Sequence, residues 1–285
     1  MSNWYINLKT KFASVNIVEK IIYINVIVFL VTYLFKTISF LTGIDESFIV
    51  TWFALSPYFS TLIIKPWTII SYGFLHEGLI HILFNLFILY FIGNLFLDYF
   101  NRKQFLVYYF LGVIFGGMVF MLSYNYFPAL KTRETFLVGA SAGVTSIIIG
   151  VASLIPNYAL RFRFIGDIKL LYIAIILIAI DIIQIPNGNA GGHLAHLGGA
   201  LIGFLLTTRL NKGKSLILWM ESLLQPKQKS PLSTVHRREK TSVQKKESSN
   251  DRQKKIDEIL DKISKSGYDA LSKEEKDFLF KVGKE

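Results

Sequence analysis

Four of the five histidines in this 285-residue chain lie in two strongly apolar stretches. His76 and His81 belong to the first stretch, and His193 and His196 belong to the second. Ionisable side chains are costly in apolar segments, and an imidazole can act as a general base near neutral pH. The histidines therefore mark a candidate chemical site, with hydrogen bonding between packed helices as the simpler alternative.

A third apolar stretch opens with Gly139-Ala140-Ser141-Ala142-Gly143. The two glycines leave space around one hydroxyl, so that a substrate backbone can approach it closely. A serine hydroxyl is a poor nucleophile until a base such as histidine activates it. Alone, the motif is weak, because Gly139 and Gly143 also match the Gly-x-x-x-Gly pattern of closely packed membrane helices.

The spacing of these polar residues brings them to comparable positions in their segments. His81 and Asn85 are four residues apart and share one helix face, and His196 shares a stripe with two glycines. Ser141, His81, Asn85 and His196 each lie within about two helical turns of one end of an apolar run. His196 can then activate Ser141, while His81, Asn85 and the Ser141 backbone N–H can stabilise an oxyanion.

Apolar runs long enough to cross a bilayer must position this site. The chain is 52% hydrophobic with a mean hydropathy of +0.43, which is high for a soluble domain. A bilayer crossing needs about 20 apolar residues. The runs that approach this length are about 21–40, 79–100, 104–124, 136–155, 168–185 and 191–208. They predict an all-α membrane protein built on a bundle of six transmembrane helices.

Residues 41–75 are rich in aromatic residues but interrupted by Pro57 and Pro66, which predicts a half-buried segment at the membrane interface. There is no cysteine, which excludes disulfides, thiol nucleophiles and cysteine-ligated metals.

The distribution of Lys and Arg predicts the orientation of the bundle. Most basic residues between the runs fall on the side of the two termini, and the turn between the last two runs has none. Basic loops stay in the cytoplasm. We therefore predict a multi-pass protein of the plasma or inner membrane, with both termini cytoplasmic and the site near the outer face.

Four regions follow from these patterns. We predict an amphipathic segment over residues 1–16 and the six-span core over residues 17–210. An interfacial helix and a flexible basic linker should follow over residues 211–255, and a cytoplasmic helical hairpin over residues 256–285. Ser272-Lys273-Glu274-Glu275 is a capping box for the last helix. The net charge of +11 suggests nucleic acid, but the mixed signs of the charges in the tail argue against such a partner.

At the site residues the chain resembles the rhomboid family of intramembrane serine proteases. The matching pieces are His76, His81 and Asn85, then Gly139-x-Ser141-x-Gly143, and Ala195-His196-x-x-Gly199-x-x-x-Gly203; Pro66-Trp67 is also similar to bacterial members. The resemblance covers about residues 15–210. It implies a dyad of Ser141 and His196, an oxyanion site that includes His81 and Asn85, and no metal or organic cofactor.

The predicted activity is hydrolysis of peptide bonds in single-span membrane proteins near the outer face. A transmembrane helix protects its own amides, so the substrate must unwind locally before attack. The predicted partners are these substrates and the lipid bilayer, and the oligomeric state stays open.

Three other functions compete with this interpretation. His76-Glu77-x-x-x-His81 resembles the zinc motif His-Glu-x-x-His, but its extra residue sets the histidines roughly 140° apart on a helix. A catalytically inactive rhomboid-like factor that binds membrane proteins would be expected to lack Ser141 or His196. A transporter would show paired broken helices, which the sequence does not.

Asp181 is the one acid in the fifth run, about one turn from its predicted outer end. A carboxylate behind a catalytic imidazole would form a triad. Because the resemblance implies a dyad, we expect Asp181 instead to meet interfacial water or a neighbouring helix. We likewise expect His76 and His193 to be secondary residues at the water boundary.

Overall fold

The computed structural model describes residues 15–131, 135–163, 165–212 and 242–282. These residues fall into two compact units, the first holding α1 to α9 and the second α10 and α11. The α-helices are α1 (Ile17–Thr42), α2 (Phe48–Phe53), α3 (Phe59–Ile64), α4 (Thr68–Ser71), α5 (Leu79–Tyr99), α6 (Arg102–Tyr126), α7 (Ser141–Leu154), α8 (Leu170–Gln184), α9 (Ala190–Lys212), α10 (Ser242–Ser266) and α11 (Lys273–Val282). Two strands, β1 (Ala159–Phe162) and β2 (Gly166–Lys169), form an antiparallel hairpin between α7 and α8.

Five helical segments of the described chain have the length and hydropathy to cross a membrane. They comprise α1, α5, α6, α8 with its terminal 3₁₀ turn, and α9 as far as Thr208. The fourth predicted span is shorter than expected, because α7 has 14 residues and extends only about 21 Å. The described residues therefore contain five candidate spans and one shorter apolar helix, and the sixth crossing stays a prediction.

The short helix α7 lies in the interior of the bundle. Every side chain from Ala142 to Ala152 is buried, as expected for a helix that is apolar on all sides. A Cβ atom on Gly199 of α9 would overlap the carbonyl oxygen of Ala142, and one on Gly112 of α6 would lie 2.9 Å from that oxygen. Small residues thus allow α6 and α9 to approach the backbone of α7 directly.

The segment between α1 and α5 is interrupted, as predicted, and consists of three short helices and a 3₁₀ turn over Tyr72–Phe74. Leu55 and Leu137 exchange backbone hydrogen bonds of 3.1 and 2.9 Å, which join this segment to the residues before α7. This pairing explains the late start of α7, because residues bonded in a β-bridge cannot also continue a helix.

The connection between α7 and α8 corrects another boundary. The fifth run was predicted to begin near Ile168, but Ile168 belongs to β2, and the helix begins at Leu170. Arg161 and Asp167 are paired across the two strands, and their exposed side chains approach each other to 3.6 Å between Nε and Oδ1.

The second unit contains α10 and α11. α10 begins at Ser242, within the stretch predicted as a flexible linker, so that prediction was wrong for residues 242–255. The Lys, Gln and Glu residues among 242–255 are good helix formers, and an apolar stripe follows from Ile256 to Ile263. The capping box is present, since Ser272 Oγ accepts from the Glu275 N–H at 3.3 Å and Glu275 Oε2 from the Ser272 N–H at 2.8 Å. The amphipathic segment predicted for 1–16 and the interfacial helix near 216–220 lie outside the described residues, except Val15 and Asn16.

Candidate active site

Ser141 is the first residue of α7 and is half-buried. Gly139, two residues earlier, has φ +127°, a conformation that favours glycine, and its N–H donates to the Tyr72 carbonyl at 3.0 Å. The chain thus turns sharply and enters the helix at the serine. Backbone N–H groups in the first turn of a helix lack intrahelical acceptors, so they are available to a developing negative charge.

The structure brings His81 to Ser141. A Cβ atom built on Gly139 would lie 3.0 Å from His81 Nε2 and 3.5 Å from Ser141 Oγ. The imidazole and the hydroxyl therefore border the same small space, which exists because residue 139 has no side chain. His81 is half-buried on the first turn of α5, where its ring can donate a hydrogen bond into that space.

Asn85 lies one turn further along α5 and is 7% exposed. Its Nδ2 donates to the His81 carbonyl at 2.9 Å. A side-chain amide carries two N–H donors; one is used within the helix, and the other has no partner among the residues that the structure describes.

His196 lies on α9, where its Nδ1 is 2.8 Å from Oδ1 of Asp181 on α8. The same oxygen is 2.8 Å from Nδ1 of His193. Asp181 was expected to meet water or a neighbouring helix; it meets a neighbouring helix, and its partners are two histidines, one of them the predicted base. Sequence reasoning identified Asp181 as the one acid in its run, but helical spacing could not reveal which helix it faces.

The helices that carry Ser141 and His196 pack closely, since Gly199 of α9 lies against the backbone of Ala142 in α7. Gly203 adds a second close approach, since a Cβ atom there would overlap the carbonyl oxygen of Ser146. His196 is also near enough to His81 for their charges to interact. Within the described residues no hydrogen bond joins Ser141 to His196, and such bonds are often loose in an enzyme without substrate.

His76 is buried beside the site rather than at the water boundary, which corrects the expectation for it. It is 3% exposed, and its ring meets that of His81 edge-on at 5.1 Å between centroids. Neither ring nitrogen has a partner in the described chain. Burial, together with the nearby His81, lowers the pKa of His76 to about 4, so its ring is neutral at pH 7.

Asp181, His193 and His196 also have the composition of a cation site, since each offers one ligand atom and these atoms lie within 4.8 Å of one another. Two hydrogen bonds of 2.8 Å account for this spacing without an ion. His76 and His81, the histidines of the zinc-like motif, are not part of this group.

Comparison with known proteins gives three results. Residues 64–212 match the Rhomboid domain family, and residues 240–284 match a family of unknown function, DUF6576. The chain is 29% identical over 158 residues to RHOMBOID-like protein 12, mitochondrial, of Arabidopsis thaliana, covering 52% of this chain and 47% of that protein. The chain thus spans about half the length of the curated relative it matches. The Rhomboid match includes every residue of the candidate site.

Proposed function

The chain belongs to the rhomboid family, and on that premise we propose that it is an intramembrane serine endopeptidase. One observation carries the proposal: Ser141 opens a buried helix, and His81 borders the space beside its hydroxyl. A nucleophile, a donor for an oxyanion and a nearby base on the adjoining helix α9 are the parts that acyl transfer needs.

The proposed reaction has two steps. His196 accepts the proton of Ser141 as Oγ attacks the scissile carbonyl, and the oxyanion that forms accepts hydrogen bonds from His81, the Ser141 N–H and Asn85. The amide C–N bond then breaks, and the protonated His196 donates its proton to the leaving nitrogen. Water, deprotonated by His196, next attacks the ester carbonyl, the bond from the carbonyl carbon to Ser141 Oγ breaks, and His196 returns the proton to Oγ as the second product leaves.

The proposed substrates are single-span membrane proteins. The site residues lie at the start of α5 and α7 and near the start of α9, which supports chemistry near one face of the bilayer. If both termini are cytoplasmic, as the distribution of basic residues predicts, the starts of these helices lie at the outer face of the membrane. We accordingly expect a reporter near Asn187 to be external and one after Leu210 to be cytoplasmic.

A catalytically inactive rhomboid-like factor that binds membrane proteins is the second candidate. The observation that favours it is that Ser141 and His196 share no hydrogen bond within the described chain. Such a protein would bind a single-span substrate without cleaving it.

Purified protein in liposomes with a single-span substrate separates the two candidates. We expect cleavage by the wild type, none by Ser141→Ala, and no effect of a chelator. Substrate binding without cleavage by the wild type would favour the inactive factor, and loss of cleavage with a chelator that zinc restores would contradict the serine mechanism.

A further inference from the structure

We propose that Asp181 is a positioning residue for His196, so that the Ser-His pair of this chain is supported by a buried carboxylate. The inference rests on the proposed function and extends it, since the family resemblance implies a dyad without an acid. It comes from the 2.8 Å contact between Asp181 Oδ1 and His196 Nδ1.

The contact lies where a supporting acid is useful. Asp181 is only 7% exposed, and the His196 side chain is 23% exposed. Hydrogen bonds between ionised and neutral groups are stronger in such surroundings than in water. Among the described residues, the only aromatic ring that contacts His196 is that of His193, at 5.9 Å and nearly perpendicular. Asp181 is therefore the polar group that orients the His196 ring.

The hydrogen bond also selects the tautomer of His196. An ionised carboxylate can only accept, so in the neutral ring the proton must be on Nδ1. Nε2 then carries the lone pair that a general base needs. When this nitrogen takes the serine proton, the imidazolium that forms is stabilised by the carboxylate at its other edge. Without Asp181, the neutral imidazole can also hold its proton on Nε2, and a protonated Nε2 cannot accept the serine proton.

His193 provides a matched comparison within the same cluster. It donates to the same oxygen of Asp181 at the same distance and lies one helical turn before His196 on α9. Removing the His193 ring therefore deletes an equivalent bond between α8 and α9 while leaving the His196 bond in place. If Asp181 only fastens the two helices together, Asp181→Asn and His193→Ala should have similar effects on activity.

Turnover tests the proposal first. We expect Asp181→Asn to lower kcat by about 10²–10⁴ with little change in KM, because the corresponding change in a soluble triad favours the wrong tautomer. The rate at which a fluorophosphonate labels Ser141 should fall in parallel, since it reports activation of the hydroxyl without substrate binding. His193→Ala should keep turnover near the wild-type level. Near-wild-type kcat in a folded Asp181→Asn protein, or an equal loss in both variants, would overturn the proposal.

Nitrogen NMR of the full chain, labelled with ¹⁵N-histidine in detergent, tests the tautomer in the wild-type protein directly and does not require activity. His196→Gln assigns the signals. We expect Nδ1 of His196 to be protonated and Nε2 unprotonated in the neutral wild-type ring. Protonated Nε2 would overturn the inference even if the protein is an active protease. The expected tautomer in a protein that cleaves no substrate would support the inference but contradict the proposed protease function.

Discussion

His81 and Ser141 border one small space, and Gly139 keeps that space open. A Cβ atom on Gly139 would lie 3.0 Å from His81 Nε2 and 3.5 Å from Ser141 Oγ. The glycine also has φ +127°, which lets the chain turn into α7, and its lack of a side chain leaves room beside Ser141. The oxyanion of an acyl-transfer reaction would form next to this space, which makes residue 139 a sensitive position.

Gly139→Ala should therefore reduce both stability and turnover. Holding an alanine at this φ costs roughly 1–3 kcal/mol, and the added methyl group displaces His81. Gly188→Ala is the matched control, because Gly188 has the same φ of +127° but nothing within 4 Å of its Cβ position. Thermal unfolding and substrate cleavage, measured for both variants, should show strain in each and loss of turnover only in Gly139→Ala. Equal turnover in the two variants would mean that the space beside Ser141 is not used.

Asn85→Ala should lower turnover more than it weakens substrate binding. Removing one oxyanion donor costs about 10²–10³ in rate in soluble proteases, and the shared role with His81 should soften the loss. Asn94→Ala is the control, since Asn94 donates to the carbonyl four residues earlier on α5, and its side-chain oxygen accepts from Asn16 Nδ2 rather than facing the site. If kinetics on a reconstituted substrate show unchanged kcat for Asn85→Ala and only lower stability, Asn85 is a structural residue.

Gly199→Ala should destabilise the bundle and impair cleavage. The new methyl group would overlap the Ala142 carbonyl oxygen, and overpacking of this kind costs typically 1–3 kcal/mol. It would push α9, and with it His196, away from the start of α7. Gly192→Ala is a milder change on the same helix, because its nearest neighbours belong to the Asn189 side chain, whose displacement costs one hydrogen bond from the Gly192 N–H and moves no backbone. Comparable melting temperatures for the two variants would contradict the close packing of α7 against α9.

His76 predicts a pH dependence of stability. Its pKa is about 4 in the folded protein and about 6.5 when exposed. Between these values the unfolded chain binds a proton that the folded chain does not, so stability is full above about pH 6.5 and falls as the pH drops towards 4. The loss amounts to about 3 kcal/mol over the whole window. Equilibrium unfolding in detergent should show a shallower decline between pH 7.5 and 5 for His76→Phe than for the wild type, and parallel declines would contradict the assignment.

Much of the site could be predicted from the sequence, because spacing within one helix is a local property. The positions of His81 and Asn85 on one face of α5, and the glycine face that carries α9 against α7, follow from periods of three and four residues. The start of α7 could not be predicted this way, because the Leu55–Leu137 bridge that delays it joins residues far apart in the chain.

The partner of Asp181 was missed for a related reason. Periodicity fixes which face of α8 carries the acid, but the rotation of α8 against α9 depends on the packing of the whole bundle. The burial of His76 likewise depends on how the turn before α5 packs against the bundle, which no local pattern records. The sequence therefore predicts the helices that carry Asp181 and His76, but the contacts of these two side chains depend on how the helices pack together.

The most direct measurement is the covalent labelling of Ser141. Full-length protein in detergent is treated with a fluorophosphonate, and the modified residue is located by mass spectrometry beside the folded variants Ser141→Ala and His196→Ala. A serine activated by His196 reacts, so we expect one adduct on Ser141 in the wild type and none in either variant. An unlabelled wild type that is folded, or labelling of Ser141 that persists in His196→Ala, would contradict the proposed Ser-His mechanism.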